Sequence, residues 1–456
     1  MSLQAKLTFA VEQRLVTVDL QLDPGEARGL YGPSGIGKST LLGLLAGQST
    51  AGIKQGQVLY EGQPIAALTA NQRVARVSLM FQNPDLQFCT ATPRTELYFC
   101  LENQAIPPAE MAAKVSWALA FCGIAQLADQ PLVTLSGGEK QLVALACCVV
   151  LESRYLLLDE PFANLDQQTS QQLVVKLQQL QQERHLGVLL IDHRLANTSN
   201  WIDQWYMFTD QQVALTTRQH LTQQAELLQQ TLPAVTKKSE AAISSVLTMS
   251  QFSLPVGQRA IVFPDVALAA GQMIGITGRS GIGKSTFLKS LMGLGPHQGQ
   301  LLLNGRRVKK CRRRLFRELS WVMQNPQDQF IAVTVAQELG SGSLNNQGVA
   351  KTLHQLGLSD KADVSPFLLS QGQQRRLAVA SFLARPLALL LVDEPTYGQD
   401  QANAWQLMTM LRHKANQQTL VLVVSHDQCL LHQFCDDVWD LNQYAEVTNA
   451  AIKSDR

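Results

Sequence analysis

The sequence predicts an α/β protein built from one unit written twice, each unit a largely parallel sheet with helices on both faces. Three observations lead there. Gly32-Pro33-Ser34-Gly35-Ile36-Gly37-Lys38-Ser39 and Gly278-Arg279-Ser280-Gly281-Ile282-Gly283-Lys284-Ser285 both fit G-x-x-x-x-G-K-[ST], with their lysines 246 residues apart. The landmarks behind each loop repeat in the same order. Short runs that are apolar throughout lead into those landmarks, as central strands of a doubly covered sheet require.

A glutamine ends an apolar run at Gln82 and at Gln324, offset 242. A serine–glycine motif begins at Ser136 and Ser370, and an acidic pair stands at Asp159-Glu160 and Asp393-Glu394, both offset 234. A histidine follows an apolar run at His193 and His426, offset 233. The offset drifts by only 13 residues, which small loop differences absorb. A period of about 240 is a duplicated domain, not a solenoid repeat.

The apolar runs 154–158 and 387–392 lead into the acidic pairs, and 187–191 and 419–424 lead into the histidines. Helical patterns over 141–151 and 374–383 lie between. In such alternating sheets the chemistry gathers at the carboxyl ends of strands, where these landmarks fall. Residues 216–230 read as a polar, Gln-rich helix and 233–245 as an exposed linker. The expected organisation is a first domain over 1–215, a closing helix and linker over 216–245, and a second domain over 246–456.

A chain of 456 residues with 46% hydrophobic side chains has room for two or three cores, which excludes general disorder. A net charge of +2 gives no strong pull toward nucleic acid or anionic membrane. No uncharged apolar run approaches the roughly 20 residues needed to cross a bilayer, and the N-terminus opens into a charged amphipathic stretch. A cytoplasmic location is therefore expected. Cysteines at 89, 100, 122, 147, 148, 311, 429 and 435 include no C-x-x-C pair. That points to thiols in a reducing compartment rather than a zinc or iron–sulfur site.

In each loop the glycines let backbone N–H groups turn inward around phosphate oxygens, and the following helix adds its positive end. The cradle spans Gly32, Pro33, Ser34, Gly35, Ile36 and Gly37, and again Gly278, Arg279, Ser280, Gly281, Ile282 and Gly283. Lys38 and Lys284 are placed to neutralise β- and γ-phosphates, Ser39 and Ser285 to hold Mg²⁺, with Thr40 and Thr286 next in the same turn. Asp159 and Asp393 sit at strand ends, where a carboxylate reaches the metal through its water shell. Glu160 and Glu394 can orient the attacking water or accept its proton.

Leu135-Ser136-Gly137-Gly138-Glu139-Lys140-Gln141 resembles the signature of ATP-binding-cassette (ABC) ATPases, and the five landmarks match that family's order across nearly the whole chain. The resemblance implies an α/β fold of two tandem P-loop ABC ATPase domains. Each would have a RecA-like core, a small antiparallel β-subdomain and a helical signature subdomain. It implies that Gln82 and Gln324 are Q-loop glutamines that also reach Mg²⁺, and that His193 and His426 contact the γ-phosphate. Residues 164–166 and 398–400 would be D-loops. The family's halves pair head to tail on two ATP molecules, so Ser136, Gly137 and Gly138 would face Lys284, and Ser370 and Gly372 would face Lys38. The second signature departs from the pattern, with Gln371 for its first glycine. Both catalytic glutamates are present, so both sites are expected to hydrolyse ATP. Phe9 and Phe252 lie about where the family keeps an adenine-stacking aromatic; core packing is the competing role.

Asn83-Pro84-Asp85-Leu86-Gln87-Phe88 resembles the Asn-Pro-Asp-x-Gln segment of energy-coupling-factor (ECF) ATPases, which drive vitamin and transition-metal uptake. Asn325-Pro326-Gln327-Asp328-Gln329-Phe330 departs from it, with Gln327 for aspartate. The likeness implies a peripheral motor at the cytoplasmic face of the membrane. Its partners would be integral membrane subunits, one for coupling and a separate one for substrate binding. The competing reading is a soluble paired-cassette ATPase acting on ribosomes or nucleic acid, but the long charged linker of such proteins is missing, and nucleic acid is not the expected partner. The basic run 306–314 leans that way; it otherwise reads as solvated surface or a contact for lipid headgroups.

Overall fold

The computed structural model describes residues 2–11, 14–163, 165–192, 195, 198–232, 235–237, 245–256, 259–308, 315–341 and 344–446. They fall into two compact units, Met1–Thr231 and Leu232–Arg456. Helix Arg218–Thr231 closes the first unit and packs on strand Gln212–Thr217. Leu232, just ahead of the stretch read as a linker, and Val235 within it pack on the second unit's core, and Lys237 Nζ donates to the Cys435 carbonyl at 2.5 Å.

Five parallel strands form the centre of the first unit, in the order Val77–Met80, Tyr155–Asp159, Gly187–Ile191, Ala27–Tyr31, Gln204–Phe208. The second unit repeats that order with Leu319–Val322, Leu389–Asp393, Leu420–Val424, Met273–Thr277 and Asp437–Asp440. The runs that read as apolar on both faces are these strands, and every residue of Tyr155–Asp159, Gly187–Ile191, Leu389–Asp393 and Leu420–Val424 is buried. Successive side chains point to opposite faces, so one strand feeds two cores. Leu156 and Leu158 join the helical side, whereas Tyr155 and Leu157 join the side shared with the antiparallel strands. Each such fully buried leucine contributes about 1.5–3 kcal/mol.

Each unit also carries an antiparallel sheet, built on Leu3–Val11, Arg14–Leu22 and Ile53–Tyr60 in the first and on Ser245–Val256, Arg259–Val262 and Gln298–Leu303 in the second. The first unit joins both layers into one ten-stranded sheet. Gln212–Thr217 does this by pairing antiparallel with Gln204–Phe208 and parallel with Arg14–Leu22. Among the described residues of the second unit the layers are separate sheets of six and five strands.

The third part of each unit is helical. Pro93–Asn103, Pro108–Phe121 and Gly137–Val150 pack together in the first, Val335–Gly340, Asn346–Leu356 and Gln371–Leu383 in the second. Among the described residues no helix is long and apolar enough to cross a membrane.

Candidate functional site

Each phosphate loop lies between a strand of the parallel sheet and a helix. Ala27–Tyr31 leads into residues 32–37, and helix Lys38–Leu45 starts at once. Gly37 caps that helix with φ +115°, and a Cβ there would lie 2.8 Å from Cγ2 of Val11. Gly283 repeats this with φ +112° and Cγ2 of Val256 at 2.8 Å. Torsion and space both demand glycine. The loop lysine props the turn from inside. Lys38 Nζ donates to the carbonyls of Gly32 and Pro33, each at 2.9 Å. Lys284 Nζ donates to Gly278 at 2.9 Å and Arg279 at 3.2 Å.

The acidic pairs end the strand two places away in the sheet. Ser285 Oγ donates to Asp393 Oδ2 at 3.1 Å, and the Ser39 hydroxyl bonds Asp159 in the same way. Burial, reinforced by the neighbouring glutamate, pushes the Asp159 carboxyl up to about 7 and Asp393 up to about 6. The nearby serine and lysine pull the other way in both units, and in the second Arg375 helps them.

Glu160 and Glu394 both have φ +50°, in the left-handed region. Such torsions cost a non-glycine residue about 1–3 kcal/mol and persist where the surroundings impose them. The sheet imposes them here, because the Glu160 N–H is held by Ile191 O and the Glu394 N–H by Val424 O, each at 3.0 Å. Gln82 Nε2 donates to Glu160 Oε1 at 2.9 Å, and Gln141 Nε2 to the Glu160 carbonyl at 2.5 Å. In the second unit Glu394 is met by His426, whose N–H donates to Oε2 at 3.3 Å and whose Nε2 lies 3.3 Å from Oε1. Gln324 follows the matching strand, half-buried. His193 and Asn164 lie outside the described residues.

Arg375 stands where the first unit has Gln141. Burial lowers its guanidinium to about 10. It donates from Nη1 to Met323 O at 3.4 Å and lies 5.6 Å from the centre of the Tyr397 ring.

The signature serines are helix caps. Ser136 N–H donates to Glu139 Oε2 at 2.8 Å while Glu139 N–H donates to Ser136 Oγ at 3.4 Å. Ser370 and Gln373 form the same reciprocal box. The capping holds Gly137 and Gly138, and Gln371 and Gly372, in the first helical turn, where N–H groups lack intrahelical partners. Phe9 and Phe252 are fully buried against Phe208 and against Phe263 and Phe287, so both are core side chains.

Several contacts around the site went unread in the sequence. Gln87 accepts from Phe81 N–H and donates to Ala144 O, both at 3.4 Å. Glu96 accepts from the N–H groups of Cys89 and Thr90, and Glu338 from those of Ile331 and Ala332. The signal was the repeat itself, because both glutamates follow a capping threonine by four residues, Thr92 and Thr334.

The donor set suits a small hard cation. Ser39 with Asp159 and Ser285 with Asp393 offer oxygen ligands only, and a carboxylate raised by burial gains most from an added positive charge. Among the described residues no three His, Cys, Asp or Glu side chains converge to hold a metal. A cation shared with phosphate oxygens and water needs no such cluster.

A glycine-rich turn between strand and helix, with a lysine inside it and a buried acid beside it, has one common customer, the phosphates of a nucleotide, and the class is a tandem P-loop nucleoside triphosphatase. The family model described as ABC transporter matches residues 15–163 and 264–397, more than half the chain, and the chain belongs to that family of ATP-hydrolysing proteins. It is 33% identical to a Bacillus subtilis (strain 168) protein named as an HMP/thiamine import ATP-binding protein, YkoD, over 95% of this chain and 88% of that one. It is 27% identical to a protein named as an ABC transporter ATP-binding protein from Methanosarcina mazei, over 94% and 84% of the two chains. A solved structure of ribosome-bound archaeal Pelota and ABCE1 matches with TM-score 0.69 over 94% of this chain and 75% of that chain. At 20% identity that likeness speaks to the fold alone.

Proposed function

We propose that this chain is the ATP-driven motor subunit of a membrane importer of the energy-coupling-factor type. The two halves close head to tail on two ATP molecules, so that each loop meets the other half's signature. Lys38 and Lys284 turn from their loop carbonyls to the β- and γ-phosphates. Ser39, Gln82 and Asp159, and Ser285, Gln324 and Asp393, hold Mg²⁺, which shields phosphate charge when bound. Glu160 and Glu394 orient the attacking water and take its proton. His193 and His426 contact the γ-phosphate.

One observation carries the importer reading. Beside the signature helix of the second unit, Ile331, Val333 and Leu368 are 81%, 77% and 78% exposed. The Phe330–Phe367 ring contact, at 6.0 Å, joins the segments that bear them into one apolar surface. In the first unit Cys89, Ala91 and Thr134 stand at those places, and the exposed apolar side chains of the same two segments are Leu86 and Val133. A surface of this kind needs cover, and a coupling helix from an integral membrane subunit at the cytoplasmic face supplies it. The relative named for HMP/thiamine import supports a vitamin or vitamin precursor, ahead of a transition metal, as cargo chosen by a separate membrane subunit.

Purification of the tagged chain from detergent-solubilised membranes tests this. Integral membrane proteins are expected to co-purify in stoichiometric amount. Salt-sensitive co-purification with ribosomes, and no membrane protein, would establish the competing reading. That reading has the exposed Arg306 and Arg307 in its favour, while 309–314 lie outside the described residues.

A further inference from the structure

The same contact joins the segment behind the Q-loop to the signature helix in both units, but with different chemistry. Its inner part is shared. Gln87 bridges Phe81 N–H and Ala144 O; Gln329 bridges Met323 N–H and Ala378 O, at 3.1 and 3.0 Å. Its outer part is not. In the first unit Lys140 Nζ meets Asp85 Oδ1 at 2.7 Å. In the second unit Gln327 Nε2 donates to Gln374 Oε1 at 3.3 Å.

Gln327 occupies the place of Asp85, and Gln374 the place of Lys140. Either replacement alone would set a full charge against an amide. Both members differ together, and the contact is kept. The second pair is also oriented for it. Gln374 Nε2 is engaged by the carbonyls of Pro366 and Phe367, at 3.2 and 3.3 Å, which leaves Oε1 to accept from Gln327.

The contact's two ends lie at the chemistry. Lys140 is four residues, about one turn or 6 Å, into the helix capped by Ser136. At the other end, Phe81 and Gln87 fix the strand end from which Gln82 reaches Glu160. Gln141, next to Lys140, returns to the Glu160 carbonyl. The first unit therefore holds a closed ring of contacts from the acid, through the Asn-Pro segment and the signature helix, back to the acid.

We propose that Asp85–Lys140 and Gln327–Gln374 are matched clasps, and that these four side chains are positioning residues for ATP hydrolysis. Each clasp makes the Asn-Pro segment and the signature helix move as one body, so a push on the segment reaches the helix start. The first clasp is ionic and screened by salt; the second is neutral and is not. This rests on the ATPase site described above, and adds residues that touch neither nucleotide nor metal.

The test uses steady-state ATP turnover by the full-length chain, with thermal midpoints recorded alongside. D85K and K140D, each setting like charges together, are expected to lower kcat about three- to tenfold with KM for ATP within about twofold, as small misplacements do. The reversed pair D85K/K140D restores kcat to within about twofold of the parent. D85Q/K140Q, which copies the second unit's amides into the first, also keeps kcat within about twofold and reduces its salt dependence; that variant decides the matter should a single charge reversal fail to fold. Single changes at parental kcat, or paired changes no better than the worse single one, would overturn the clasp. Such a result would leave the importer reading untouched, since that depends on the membrane partner and this only on turnover.

Discussion

Gln82 Nε2 lies 2.9 Å from Glu160 Oε1, so a residue two places beyond one strand of the sheet is tied to the acid just past the end of its neighbour. The bond places the two groups that would meet the attacking water and the metal within reach of one another. It also makes the acid's position depend on the segment that follows Gln82.

Glu160→Gln keeps the size of the side chain and removes its basicity. With two working sites, Glu160→Gln or Glu394→Gln alone is expected to remove about half of the ATP turnover or more, and the double change at least about a hundredfold, the usual scale for a lost general base. Nucleotide binding should survive in all three. Parental turnover in either single variant would refute the claim of two hydrolysing sites.

Gly37→Ala should do harm out of proportion to one methyl group. The new Cβ meets Val11 at 2.8 Å, with φ at +115°. Gly62 is a fair control, because its φ of +82° is also left-handed but nothing lies within 4 Å of its Cβ position. Gly62→Ala should cost about 1–2 kcal/mol from torsion alone. Gly37→Ala should cost more and weaken binding of a fluorescent ATP analogue at least about tenfold, because the loop that turns N–H groups to phosphate is displaced. Equal effects at the two positions would show that space at Gly37 is immaterial.

The acid pairs give a pH signature. Asp159 and Asp393 have their carboxyls pushed up to about 7 and about 6, so the folded chain binds protons that the unfolded chain has released. Stability then falls as pH rises from about 4 to 7, the reverse of a salt-bridged carboxylate. Asp159→Asn should flatten part of that slope and raise the thermal midpoint of the nucleotide-free protein by about 2–4 °C at pH 7.5, while ATP turnover falls by about half or more, as for Glu160→Gln. A midpoint lowered at pH 7.5, or an unchanged slope, would contradict the buried-acid account.

The central strands were legible because burial on both faces removes polar residues from them, as in Tyr155–Asp159 and Leu420–Val424. The site was legible because its residues recur in order and because phosphate and metal chemistry narrows the choice of side chain. The remainder depended on partners remote in sequence. Nothing local in Gln212–Thr217 announces that two of its residues pair with Arg14–Leu22 and so fuse the two layers of the first unit. Arg375 looks like a surface cation by composition, yet it is 1% exposed, because the carbonyl and ring that receive it come from other segments. Nothing local pairs Lys140 with Asp85, 55 residues apart in the chain, which the fold sets 2.7 Å from one another.

Glu96 offers the sharpest test of how the segment behind Gln82 is held. It is 2% exposed and accepts from Cys89 N–H at 3.0 Å, Thr90 N–H at 2.8 Å and the Thr90 hydroxyl at 2.9 Å. Glu338 takes the same role with two N–H groups. Glu96→Ala strands donors that a carboxylate now satisfies, at about 1–3 kcal/mol for each unsatisfied group. Part of that is relieved where water enters. The thermal midpoint should fall by about 5–10 °C. Glu96→Gln recovers only part of the loss, because its amide oxygen can take the place of Oε2, where all three bonds end, but is uncharged and accepts more weakly. Turnover should fall with stability in Glu96→Ala and remain depressed below the melting range, since Gln87 and Gln82 hang from the same segment. A Glu96→Ala protein as stable and as active as the parent would show that the buried carboxylate does not hold the loop.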